Sequence, residues 1–339
     1  MVMGLTAQDI TERLSIYLSG VAGCSVNVGN AQKLSGGAIQ ENWAVDADVS
    51  SGDWAGQHKL VMRCDAPSGV ATSHTRAEEF ALLKAAHEVG VEVPIPCFVC
   101  EETDVLGRRF FIMHRVSGIA AGHKLVRQEI SKGLGRELGK NLARIHSIDP
   151  LQDGLAFLGQ PPEYPALSAI TTYFKYLDVL EQAHPAIEWG LNWLSDHAPE
   201  PVKPVLCHRD YRTGNYMVDA GKLTAVLDWE FAGWSDPTED IAWFCAKCWR
   251  FGANEREGGG VTSREEFYQG YEEESGHTLD RDGIYYWEVM AHVRWAVIAC
   301  QQAARHVSGE ERSLELALTA HVVPELELEI LRLTERTNA

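Results

Sequence analysis

Asp210, Asn215 and Asp228 are three oxygen-bearing side chains close together in the chain, and their spacing suits phosphoryl transfer. His208, Asp210 and Asn215 spell a His-x-Asp-x-x-x-x-Asn loop. In such a loop the Asp accepts the proton of an attacking hydroxyl and the Asn side-chain oxygen holds magnesium. Asp228 supplies a second, harder ligand. Magnesium takes oxygen donors in tight octahedral geometry, usually one or two from protein and the rest from phosphate and water. With Asp210 available as the base, His208 reads as a packed, hydrogen-bonded support.

The elements around these residues follow from the same text. Val205 to Cys207 is a short apolar run ending at His208. Asn215–Val218 and Leu223–Leu227 are β-rich and joined by Asp219, Ala220 and Gly221, a hairpin signal that predicts Asn215 and Asp228 at one end. Upstream, Thr6 and Asp9 open a helix over residues 6–19, and strand-like text follows over 25–49 and 59–64. A helix over 72–89 and strands over 94–100 and 109–116 complete a small sheet. From Ser117 the chain turns helical, beginning with the stripe Ile130, Leu134, Leu138, Leu142 and Ile145. Asp236-Pro237-Thr238-Glu239 starts a further helix, Ser263 and Glu266 form a capping box, and 256–261, with Gly258-Gly259-Gly260, reads as a mobile loop. The fold class is α+β, with a β-rich lobe of residues 1–116 and a mostly helical lobe of 117–339. A cleft between such lobes suits a nucleotide.

Composition narrows the function classes. At 339 residues, 45% hydrophobic and 23% charged, the chain has material for one large core or two modest ones. No run approaches the ~20 apolar residues of a membrane helix, and the start lacks a signal-like pattern, which gives a cytoplasmic expectation. A formal charge of −18 argues against nucleic-acid or anionic-membrane partners and is compatible with a cationic substrate. The Cys97/Cys100 and Cys245/Cys248 pairs lack the glycine-bearing knuckle of a zinc site and read as reduced thiols.

The segment from Pro204 to Asp228 resembles the aminoglycoside phosphotransferase and choline kinase family, most of all the phosphotransferase domains associated with acyl-CoA dehydrogenases. Leu34-Ser35-Gly36-Gly37, Arg63, Gly107 to Met113, Asp228-Trp229-Glu230, Asp236 to Asp240 and Tyr271 to Gly276 extend the likeness over nearly the whole chain. The resemblance implies a two-lobed protein-kinase-like fold and phosphoryl transfer from ATP, or GTP in its place, with Mg2+. Ser35, Gly36, Gly37 and Ala38 take the place of a phosphate-covering loop, where glycines let backbone N–H groups approach phosphate oxygens. An ordinary hairpin turn is the competing reading. Arg63 stands where a kinase strand usually offers Lys. Arginine keeps the charge, but its planar fork differs from an ammonium. Glu79 is the expected ion-pair partner of Arg63, with Glu78 its neighbour and rival. Met113, His114 and Arg115 would join the lobes and read the base through the backbone. Asp240 is implied as the brace of the catalytic loop.

Only seven residues separate Asp228 from Asp236, too few for an activation loop and a peptide platform, and Trp229-Glu230 replaces Phe-Gly. The expected acceptor is therefore a hydroxyl of a small molecule. The resemblance points to an aminoglycoside-like alcohol or to a hydroxyacyl compound. Trp229, Glu230, Trp243, Trp287, His292 and Trp295 are the candidate pocket residues, with core packing the alternative for each aromatic. A nucleotide-binding module without catalysis is the alternative function.

Overall fold

The computed structural model describes residues 6–34, 40–65, 73–129, 132–150, 152, 154–180 and 182–335. The glycine segment Ser35, Gly36, Gly37 and Ala38, and Ile130 of the helical stripe, lie outside the described residues. The chain divides into two compact units. One comprises Met1–Gly118 with Leu151–Phe157 and Met217–Phe231, and the other Ile119–Pro150, Leu158–Tyr216 and Ala232–Ala339.

The first unit starts with α1 (Ala7–Ala22), opened by a reciprocal capping box between Thr6 and Asp9. Ile10, Leu14 and Leu18 recur four apart and are completely buried. They cover one face of a five-stranded sheet ordered β1-β2-β3-β5-β4. Its strands are β1 (Val26–Lys33), β2 (Gln40–Val49), β3 (Gly56–Asp65), β4 (Pro96–Cys100) and β5 (Phe110–His114), all antiparallel to their neighbours. Alternation along β3 sends Leu60, Met62 and Cys64 into the α1 core and Arg63 to the other face, where it meets α2 (Arg76–Glu88). Thr75 and Glu78 cap α2 reciprocally, so the side chain of Glu78 is spent on the helix end.

The expected hairpin is present as β7 (Tyr216–Asp219) and β8 (Lys222–Val226). Ala220 and Gly221 both take positive φ in its turn, as a two-residue hairpin demands. Within the first unit, Val226 N–H donates to the Glu92 carbonyl at 2.6 Å and Ser117 Oγ to Asp219 at 2.5 Å.

The second unit holds α3 (Gly122–Leu125), α4 (Leu134–His146), α5 (Pro165–Asp178), α6 (Pro185–Asp196), α7 (Pro237–Cys245), α8 (Arg264–Ser275), α9 (Arg281–Ser308), α10 (Leu314–Thr319) and α11 (Val323–Glu335). A short ladder pairs β6 (Val205–Cys207) with β9 (Gly233–Ser235). The approach of α4 to α8 is the tightest helix crossing the site depends on. A Cβ at Gly139 would stand 2.1 Å from the Phe267 carbonyl oxygen, and one at Gly270 the same distance from that of Arg136. Only hydrogen fits at either position. The crossing carries His146, at the end of α4, to Tyr271 on α8.

Two local expectations are corrected. Gly258, Gly259 and Gly260 are buried: Gly258 bridges to Thr262, and the Gly259 carbonyl accepts from Thr213 Oγ1 at 2.6 Å. The triple glycine serves close packing, since a Cβ at Gly260 would lie 2.4 Å from the Arg250 carbonyl. The capping box at Ser263 is only half made. Ser263 accepts the Glu266 N–H, but the Glu266 carboxylate turns to Gly133 N–H and Thr262 Oγ1.

Candidate active site

The His208–Asn215 loop leaves β6 and is held by α7. Asp236 caps that helix, accepting the Thr238 N–H, and Pro237 starts it. One turn on, Asp240 is completely buried and accepts two loop N–H groups, His208 at 2.6 Å and Arg209 at 2.7 Å. His146 Nε2 stands 3.3 Å from its Oδ2, and Tyr271 holds the other ring nitrogen of His146 at 2.8 Å. Burial alone would push the Asp240 carboxyl up, but hydrogen bonding and charge from His146, then the contacts at His208, hold it below the ordinary value. The loop is thus tied to a fixed carboxylate.

That anchorage tolerates a strained residue. Arg209 has φ 62°, a left-handed conformation unfavourable for a side chain with Cβ. Its N–H is taken by Asp240 and its guanidinium by Glu239 at 3.2 Å. Arg294 reaches the same Glu239 oxygen at 3.0 Å. His208 is fully buried and accepts the Asp210 N–H on Nδ1 at 3.3 Å. Tyr211 donates to the Leu138 carbonyl at 2.8 Å, fastening the middle of the loop to α4.

Both carboxylate oxygens of Asp210 are fixed. Oδ1 accepts Arg212 Nε at 3.0 Å and Trp243 Nε1 at 2.9 Å, while Oδ2 accepts Asn215 Nδ2. Asn215 Nδ2 also reaches the Asp210 carbonyl at 3.0 Å. With its amide nitrogen facing Asp210, Asn215 keeps Oδ1 clear of hydrogen bonds among the described residues.

In the first unit, Arg63 is the centre of a buried ionic network. Its Nε stands 2.9 Å from Glu79, and its Nη2 donates to Asp228 Oδ1 at 2.7 Å. The partner on α2 is Glu79. Arg76 pairs with the same Glu79 and reaches Asp65 at 3.1 Å. Burial would lower the Arg63 pKa, but Glu79 first, then Asp228 and Glu230, hold it above the usual arginine value. Asp228 has φ 66°, and its side chain retains 30% exposure, with Oδ2 outside the Arg63 bond. An amide oxygen on Asn215 and a carboxylate oxygen on Asp228 are the donors a hard divalent cation takes. Each donor type, taken by itself, is one that magnesium accepts.

Met113 lies within β5, in register with Val61 and Pro96. The next two N–H groups are spent in the sheet, His114 on the Ile95 carbonyl and Arg115 on that of Lys59, each at 2.9 Å. The Arg115 guanidinium pairs with Asp46.

The six pocket candidates separate. Trp243 touches Asp210 directly, and Trp295 packs at a tilt of 46° against Trp249 with centroids 5.0 Å apart. Trp229, Trp287 and His292 are corrected to core residues, each at most 1% exposed. Trp287 packs edge-on against Tyr286 with centroids 5.9 Å apart, and His292 Nδ1 contacts the Glu288 carbonyl one turn back on α9 at 2.7 Å. Glu230 is buried as well, its charge directed at Arg63. Sequence reasoning missed Arg212, Trp249, Glu239, Arg294 and His146. Arg212 was the findable one, because it lies inside the His-x-Asp-x-x-x-x-Asn motif two residues past Asp210.

A family model described as phosphotransferase enzyme family matches residues 30–277. The chain belongs to the phosphotransferase enzyme family. Acyl-CoA dehydrogenase family member 10 of Mus musculus is 30% identical over 197 residues, 55% of this chain and 18% of that protein. The chain therefore matches less than a fifth of this relative's length. A solved Ralstonia eutropha protein, provisionally assigned as an aminoglycoside phosphotransferase, has TM-score 0.75 at 20% identity, covering 96% of this chain and 98% of its own. Spectinomycin phosphotransferase, solved with ADP and spectinomycin, has TM-score 0.64 at 15% identity with the same coverages. The resemblance read from the motifs holds, and this phosphotransferase has the kinase-like α+β fold expected. No helix among the described residues is long and apolar enough to cross a membrane.

Proposed function

We propose that this phosphotransferase moves the γ-phosphoryl group of ATP to the hydroxyl of a small, hydroxylated acyl compound, with magnesium as cofactor, in the cytoplasm. The observation that carries the reading is Asp210, a carboxylate oriented by Arg212, Trp243 and Asn215 on a loop braced by Asp240. A carboxylate held in this way accepts the acceptor's proton as the hydroxyl oxygen bonds to phosphorus and the bond to the ADP oxygen breaks. Asn215 and Asp228 would hold magnesium, which supplies charge neutralisation at the phosphates when bound. Arg63 adds positive charge in the first unit, and the segment Ser35 to Ala38 is assigned to covering the phosphates. The ADP-bound spectinomycin enzyme supports the choice of nucleotide, and the mouse relative's name supports an acyl acceptor over an aminoglycoside.

Asp210→Asn keeps the shape and removes the proton acceptor. Turnover is expected to fall by about 10² to 10⁴ while ATP binding, followed by calorimetry, survives. An ATP-consumption screen over hydroxy acids, hydroxyacyl thioesters, amino alcohols and aminoglycosides identifies the acceptor class. Undiminished turnover in the variant would refute the assignment of the base.

A further inference from the structure

Resting on the phosphotransfer reading, we infer that Arg212 is the acceptor-recognition residue, binding the carboxylate of a small hydroxy acid so that its hydroxyl lies against Asp210. Two other guanidinium groups at this loop are committed. Arg209 and Arg294 both bind Glu239, and Arg294 also lies over the Trp243 ring at 4.4 Å. Arg212 differs. Its Nε holds Asp210 at 3.0 Å and its Nη1 reaches the Thr213 carbonyl at 3.3 Å, but Nη2 has no acceptor among the described residues. The side chain as a whole keeps 24% exposure.

The fork is also held in place. Its central carbon stands 4.4 Å from the Trp249 ring centroid, a stacked cation–π contact. Trp249 packs between Trp243, at 5.1 Å, and Trp295, at 5.0 Å, and its buried indole N–H has no acceptor among the described residues. A planar donor fork fixed on an aromatic wall, with one edge on the base and the other unfilled, matches a carboxylate. Filling both edges at once requires a hydroxyl and a carboxylate separated by few bonds. The tryptophans give the intervening carbons an apolar wall. An ammonium in this position would face the guanidinium and be repelled, which disfavours a polycationic acceptor.

The test uses the full chain, saturating MgATP and three uncharged or charged acceptors: a short hydroxy acid, its primary amide and the matching amino alcohol. Arg212 also orients Asp210, so Arg212→Met lowers kcat for every acceptor. The discriminating quantity is the ratio of kcat/KM for acid over amide. We expect Arg212→Met to reduce that ratio about 10²-fold, mainly through KM of the acid, and Arg212→Lys to recover part of it. Binding of the hydroxyl-free carboxylate, measured by calorimetry, should be lost in Arg212→Met at an unchanged thermal midpoint. An equal loss for acid and amide, as contact with the transferred phosphoryl group would give, overturns the inference. So does undetectable binding of the hydroxyl-free carboxylate to the unaltered protein. If no acceptor is phosphorylated at all, the phosphotransfer reading fails, and carboxylate binding still decides the role of Arg212.

Discussion

Arg63 shows how one side chain can serve two neighbours at once. It meets Glu79 through Nε and Asp228 through Nη2, while Arg76 supports Glu79 from the other side. The fork meets the two carboxylates through two separate nitrogens of one rigid plane, a geometry that a single ammonium does not reproduce. Asp228 is also the proposed magnesium ligand, so its position before the metal arrives depends on this bridge. Arg63→Lys is expected to lower kcat/KM for MgATP about 10- to 100-fold without unfolding the chain. ATP titrations at fixed free magnesium, with circular dichroism to confirm the fold, measure it. An unchanged value would mean that Arg63 only stabilises α2.

At the scale of elements, the catalytic loop is as good as the helices that grip it. Asp240 on α7 holds the loop N–H groups, and the glycine crossing of α4 and α8 brings His146 and Tyr271 to Asp240. Because the folded carboxyl lies below its ordinary value, Asp240 contributes stability that is complete above the ordinary carboxylate range and is lost as pH falls through the lowered value. Asp240→Asn should therefore cost about 2 to 4 kcal/mol at pH 7, since an acceptor of two buried N–H groups becomes partly a donor. The difference between variant and unaltered protein should shrink in acid, as pH falls from the ordinary carboxylate range through the lowered value at which the native carboxyl also takes up its proton. Denaturant titrations at pH 7 and pH 3 test the sign. A gap that widens in acid would contradict it. Much of this element was legible beforehand: Asp236-Pro237 announces the start of α7, and the motif implies Asp240. His146 was hidden because its stripe on α4 reads only as core, and the partner that gives it a task arrives from a helix far along the chain. The triple glycine misled for a similar reason, since glycine marks both free loops and places where backbones touch, and only tertiary contacts separate the two.

The whole chain sets a field that opposes the local one. Its formal charge of −18 repels anions at long range, whereas Arg212 beside Asp210 offers a short-range site for one. The two act over different distances. Repulsion from charges spread over the surface is screened once the Debye length falls to about 10 Å near 0.1 M salt, while a partly buried contact is screened much less. Added salt should therefore remove more of the penalty for approach than of the reward for docking. Raising ionic strength from about 10 mM to about 150 mM, at saturating MgATP and fixed free magnesium, is expected to increase kcat/KM for a hydroxy acid about two- to fivefold. A neutral diol should show little change, and an amino alcohol should lose activity as its long-range attraction is screened. Steady-state kinetics on the three acceptors separates these outcomes. A fall for the hydroxy acid would mean that the local guanidinium, rather than the acidic surface, governs its capture.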